Sequence, residues 1–114
     1  MKTHHFSSIA AIWLLVSIPS ISLAQGSVAI QSPADGATLD VLDENRLVYE
    51  FAPGPRGDHV HVYIDNKEVA LLRQRKGSYL LETLSTGKHD LCIKVVNKAH
   101  VPIGIGKCVQ VTVS

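Results

Sequence analysis

Apolar residues along most of this chain recur at every second position rather than every third or fourth, and turn-forming residues break the pattern roughly every 8–12 positions. That alternation predicts β-strands over Val28–Gln31, Arg46–Ala52, His59–Asp65, Glu68–Leu72, Ser78–Leu84, Lys88–Val96 and Gly106–Val113. The intervening stretches are Ser32–Gly36, Pro53–Asp58, Asp65–Lys67, Arg73–Gly77, Ser85–Gly87 and Asn97–Gly104. Most are built from Gly, Pro, Asn and Asp, which tolerate or preset turn dihedrals. No run carries a helical period. Seven short strands in about 90 residues predict an all-β fold, a seven-stranded Greek-key β-sandwich of the immunoglobulin-like or fibronectin-type-III-like kind.

Parity within the strands adds a covalent prediction. In the sixth run Leu91, Ile93 and Val95 share one face, and Cys92, Lys94 and Val96 the other. In the last run Val109, Val111 and Val113 alternate with Cys108, Gln110 and Thr112. Turning the Leu, Ile and Val sets into the core leaves both cysteines on the outer face. If the two runs form a hairpin around Asn97–Ile103, residues whose numbers sum to 200 stand opposite each other, and Cys92 and Cys108 meet that condition. Opposed Cβ atoms lie ~4.5–5.5 Å apart, and the closer pairs are within reach of a bridge. The expectation is a cross-strand Cys92–Cys108 disulfide on the outside of the last hairpin. An antibody domain instead carries a buried inter-sheet bridge beside a core tryptophan, and the single tryptophan here is Trp13.

Trp13 belongs to a segment of a different character. Residues 1–24 read as a secretory signal peptide: Lys2 opens it, Ile9–Ile18 is its apolar run, Pro19 and Ser20 break that run, and Ser22-Leu23-Ala24 sets small residues at the cleavage positions. The apolar run is shorter than the ~20 residues a spanning helix needs. Residues 25–114 are then the immunoglobulin-like domain, periplasmic or secreted, in an oxidising compartment where a disulfide persists. His4 and His5 leave with the signal and count towards no site.

Composition removes several classes of function. The 114 residues carry a net charge of +1, which gives no basic face for nucleic acid, and 46% hydrophobic residues, which is too apolar for a disordered chain. After signal cleavage no membrane partner is expected. Both cysteines are expected to be oxidised, Ser78, Ser85 and Ser114 lack a nucleophile-elbow setting, and paired carboxylates would need a cleft that a sandwich of about 90 residues rarely has, so the chain reads as a binding module and not an enzyme.

Four motifs carry a resemblance. Gly57-Asp58-His59-Val60-His61-Val62-Tyr63-Ile64-Asp65-Asn66-Lys67 resembles the GxHxHxYxDGK strand and turn of small secreted bacterial immunoglobulin-like domains. Leu84–Leu91 is similar to their LxPGxHxL corner, with Thr86 where proline is usual. Asn97–Gly104 is similar to their NxxHxPxG loop, and Ser32–Ala37 fits their SPxDGA opening. The likeness spans nearly all of residues 28–114. It implies fold and export and no settled activity, and the paired cysteines are not part of its pattern.

Histidines are the remaining candidates for chemistry. With Val60, Val62 and Ile64 turned to the core, His59, His61 and Tyr63 share the outer face of their strand. Residues i and i+2 lie ~6.5–7 Å apart along a strand, so two imidazoles can converge on one ion. In this type of sandwich the third and sixth strands are antiparallel neighbours, which brings the loop holding His100 to the same end. His59, His61 and His100 are therefore a candidate three-nitrogen site for Cu or Zn, with water or Asp58 in a further position. The competing reading makes the trio a structural clasp in an extracytoplasmic protein–protein interaction or adhesion module. His89, at a strand-opening corner after Gly87, reads as structural. Arg73, Arg75 and Lys76 read as a solvated hairpin tip, Asp40, Asp43 and Glu44 match no calcium loop, and Ile103–Gly106 reads as a flexible loop.

Overall fold

A computed structural model describes Leu15 and residues 25–82 and 84–114; the signal predicted over residues 1–24 lies, Leu15 apart, outside the described residues. The strands are β1 (Ser27–Ser32), β2 (Thr38–Leu39), β3 (Arg46–Ala52), β4 (His59–Ile64), β5 (Lys67–Leu72), β6 (Lys76–Leu80), β7 (Gly87–Val96) and β8 (Pro102–Val113). They form a three-stranded sheet in the order β1-β3-β6 and a five-stranded sheet in the order β2-β8-β7-β4-β5. This is the two-layer sandwich that the alternation predicts. Its core is the inward set from both sheets: Leu47, Tyr49 and Phe51 of β3 meet Val60, Val62, Leu91, Ile93, Val95, Val109, Val111 and Val113 of the larger sheet.

The last hairpin keeps the register read from the sequence. Gly87 pairs with Val113, Leu91 with Val109 and Cys92 with Cys108. Cys92 and Cys108 are joined by a disulfide, and no cysteine is free.

Four expectations are corrected. The two-residue β2, paired parallel to β8 through Thr38 and Thr112, was not predicted, because two residues show no period. The strand expected over Ser78–Leu84 is β6, Lys76–Leu80, since its ladder to β3 begins at Lys76 opposite Glu50 and ends at Leu80 opposite Arg46. Arg73, Arg75 and Lys76 are not a hairpin tip: β5 and β6 lie in different sheets, so this segment crosses between the layers. Finally, Ile103–Gly106 is not a flexible loop. It extends β8 back to Pro102, which pairs with Val96, while Ile103 and Ile105 are half-buried against the core.

Three local devices fix where β4 begins and ends. Gly57 lies so close to its surroundings that a Cβ would stand only 2.1 Å from the Pro53 carbonyl oxygen and 2.5 Å from Val95 Cγ1. The Asp58 N–H then donates to the Val96 carbonyl at 2.8 Å, which sets His59 opposite Val96. At the other end Asp65 and Asn66 have φ of 51° and 67°, and Ile64 pairs with Lys67. Two left-handed residues match the right-handed twist of a two-residue hairpin, and Asp and Asn adopt that conformation most readily after glycine.

Candidate functional site

Alternation places His59, His61 and Tyr63 on the outer face of β4, as expected, but the two histidines are not solvated. His59 is 1% exposed and His61 3%, so β4 is covered on both faces over its first half. The reason is its position inside the sheet. His59 lies opposite Val96 on β7, and His61 stands between Lys94 on β7 and Leu71 on β5. His100 closes the third side from the β7–β8 turn.

That turn is built to present it. The Oδ1 of Asn97 accepts the N–H of Ala99 at 2.9 Å and that of Val101 at 3.1 Å, and the Asn97 carbonyl accepts the N–H of His100 at 2.9 Å. His100 takes a left-handed conformation with φ of 63°. A non-glycine residue there is uncommon, and it persists where surrounding contacts over-determine it.

The three rings converge on one point. Nε2 of His59 is 3.0 Å from Nε2 of His61, and Nδ1 of His100 is 3.2 Å from each of them. His59, His61 and His100 form a group whose ring nitrogens could share one ion. Asp58, the further ligand suggested by the sequence, is not in this triangle. It stands behind His59, its Oδ2 accepting from Nδ1 at 2.8 Å and from Nη1 of Arg73 at 3.2 Å. The hydrogen bond from His59, then that from Arg73, holds the Asp58 carboxyl below its usual range. Glu68 does for His61 what Asp58 does for His59, pairing its Oε1 with Nδ1. Burial dominates at His61 and pushes its pKa down, against the upward pull of Glu68.

Proton positions follow from these partners. A carboxylate only accepts, so Nδ1 of both His59 and His61 carries the hydrogen. Both Nε2 atoms then present bare lone pairs to one another at 3.0 Å. Nδ1 of a neutral His100 supplies at most one proton to the whole triangle. Three ring nitrogens thus surround one point, and neutral rings bring at most one hydrogen to it.

Sequence reasoning missed Glu68 as a partner of His61 and read Arg73 as mere surface. A signal for Glu68 was present. The Asp65-Asn66 turn puts Glu68 opposite Tyr63, and directly opposed residues share a face, so Glu68 lies on the face of His61. His89 is structural in the way expected: its Nδ1 bonds Asp65 Oδ2 at 2.6 Å and its Nε2 the Ser85 carbonyl at 2.7 Å, tying the β4–β5 turn to the start of β7.

No protein-family model and no curated protein matches the sequence. Solved structures share the fold. The fibronectin(III)-like modules of Clostridium thermocellum CbhA match with a TM-score of 0.60 at 11% identity, covering 76% of this chain and 95% of theirs. A Jonesia denitrificans lytic polysaccharide monooxygenase matches with a TM-score of 0.50 at 12% identity, covering 76% of this chain and 77% of that one. The extracellular domain of a one-component system from B. thetaiotaomicron matches with a TM-score of 0.51 at 15% identity, covering 77% of this chain and 15% of that one. At these identities the likeness establishes an immunoglobulin- and fibronectin-III-like sandwich and nothing further.

Proposed function

We propose that this chain is an exported, non-enzymatic binding module that holds one transition-metal ion, copper or zinc, through His59, His61 and His100. One observation carries the reading: three ring nitrogens stand 3.0–3.2 Å apart with two of their lone pairs turned towards each other. In a structural clasp the Nδ1–H of a neutral His100 would fill that point, one hydrogen shared between the two Nε2 lone pairs at 3.2 Å. A proton added beyond it would make an imidazolium beside His59 and His61, which are buried, and burial disfavours a charged ring. An ion that takes all three lone pairs satisfies the triangle together. The arrangement behind the rings supports the same reading, because ligating imidazoles characteristically pass their second N–H to a carboxylate, which fixes tautomer and ring orientation. Asp58 and Glu68 are placed to do this.

Export is part of the proposal. The signal-like residues 1–24 and the Cys92–Cys108 disulfide both suit an oxidising compartment, periplasmic or extracellular.

Titration calorimetry with Zn²⁺ and Cu²⁺ tests the reading. One ion per chain is expected, with binding abolished when His59, His61 and His100 are replaced together by Ala. Affinity that survives the triple replacement would rule the site out. A binding partner captured equally well with and without chelator, in the absence of any metal binding, would favour the interaction-module reading.

A further inference from the structure

We propose that the three-imidazole site selects a divalent ion over a monovalent one: Cu(II) or Zn(II) rather than Cu(I) or Ag(I). The inference rests on the metal-binding reading above and adds the charge state and the coordination shape of the ion.

The first argument is the size of the triangle. At a metal–nitrogen bond of ~2.0–2.1 Å, three ligands spread flat around an ion stand about 3.5 Å apart, tetrahedral ligands about 3.3 Å, and ligands at right angles about 2.9 Å. The nitrogens here stand 3.0–3.2 Å apart, between the last two cases. An ion at that bond length therefore sits about 1 Å off the plane of the three nitrogens, capped on one side and open on the other. Divalent zinc and copper fill such a shape by adding water or another small ligand. Monovalent copper and silver favour flat or linear coordination and soft donors. The triangle is too tight for the flat arrangement, and both cysteines are joined to each other.

The second argument is charge. Two carboxylates, Asp58 and Glu68, bond the far nitrogens of His59 and His61, one imidazole ring away from the ion. The charges facing this shell are the Arg73 guanidinium, which shares Oδ2 of Asp58, and Lys94, whose ammonium lies over the Tyr63 ring at 4.7 Å. The Arg73 and Glu68 side chains are 64% and 54% exposed, so water screens both, whereas the Asp58 carboxylate is 27% exposed. The covered Asp58 charge, and the half-exposed Glu68 charge to a lesser degree, favour each additional positive charge on the ion.

Competition with redox-inert probes tests this. Zn(II) is titrated into the purified protein, and Ag(I) is then added at tenfold excess. Zn(II) is expected to remain bound. Asp58→Asn and Glu68→Gln keep an oxygen that can accept from each ring while removing its charge. Each is expected to weaken Zn(II) and Cu(II) about tenfold or more and to change Ag(I) affinity less than threefold, with an unchanged circular dichroism spectrum. Displacement of Zn(II) by Ag(I) at equal concentration would overturn the inference while leaving metal binding intact. So would equal weakening of all three ions, which would show that the carboxylates act by geometry alone. Failure of every ion to bind removes the metal reading itself, and the inference with it.

Discussion

Cys92 and Cys108 face each other across the β7–β8 ladder with their Cα atoms 4.1 Å apart, joined by a disulfide that closes a separation of 16 residues. Constraining an unfolded loop of this length stabilises a chain by ~3 kcal/mol on the loop-entropy model. The expected outcome of replacing both cysteines by Ser is a loss of about 2–3 kcal/mol, or a fall of roughly 10 °C or more in Tm for a domain this small. Chemical denaturation of the wild type with and without reductant should show the same difference. Cys92 pairs with Tyr63, two residues along β4 from His61, so metal affinity of the double Ser variant is expected to stay within threefold of wild type.

The disulfide and the His59–His61 pair were legible for the same reason. A period of two fixes which side chains share a face, and a hairpin sum fixes which stand opposite. Burial was not legible. Alternation alone assigns His59 and His61 to the outside, and only the placement of β4 between β7 and β5, with the His100 turn folded over its end, shows that this outside is covered. The second carboxylate, Glu68, required the register of a hairpin whose turn residues, Asp65 and Asn66, were themselves readable. The crossover through residues 73–75 could not be read, because local sequence does not state whether the next strand stays in its sheet or changes layer.

Acid should release the ion. Ligating imidazoles must be neutral, so protons and metal compete for the same lone pairs. Burial lowers the His61 pKa, which keeps that ligand available further into the acid range than an ordinary histidine. The site as a whole still requires three bare nitrogens. Zn²⁺ affinity measured from pH 8 down to pH 5 is expected to change little at first and then fall steeply below about pH 6. A flat profile across that range would be incompatible with a three-histidine ligand set.

His89 and Asp65 should give the fold its own pH dependence, separate from the metal. The hydrogen bond to Asp65, then that to the Ser85 carbonyl, raises the His89 pKa. A raised histidine contributes stability that is complete below its ordinary value near 6.5 and is lost as pH climbs through the raised folded value. Asp65 is lowered, first by the Asp90 N–H and then by His89. Its contribution is present above its ordinary value near 3.9 and is lost as pH falls through the lowered one. The pair therefore stabilises most between about pH 4 and 6.5. Half of the Asp65 side chain is exposed, so the effect is modest, ~0.5–1 kcal/mol. In metal-free protein, Asp65→Asn keeps the left-handed turn and the bond to the Asp90 N–H. It is expected to lower the denaturation midpoint at pH 5.5 and to have less effect at pH 9.

Gly57 joins the fold to the site, and its substitution should separate them from the rest of the molecule. A Cβ at this position would stand 2.1 Å from the Pro53 carbonyl oxygen and 2.5 Å from Val95 Cγ1, a contact that only a shift of backbone relieves. That backbone leads directly into Asp58 and His59, whose placement depends on the bond from the Asp58 N–H to Val96. Gly57→Ala is expected to cost about 1–3 kcal/mol, the usual range for forced overpacking. It should also weaken Zn²⁺ binding tenfold or more, because a ligand displaced by a few tenths of an ångström no longer meets the other two at bonding distance. Gly36→Ala is the matched control. Its φ of 83° disfavours an L-residue and nothing lies within 4 Å of the added methyl; its N–H bonds the Gln110 carbonyl, opposite Asp90 and at the other end of β7 from Val96, the partner of His59. Comparable loss of stability with unchanged metal affinity is expected there. If both variants weakened the ion alike, the placement of His59 by its glycine turn would not be what sets the site.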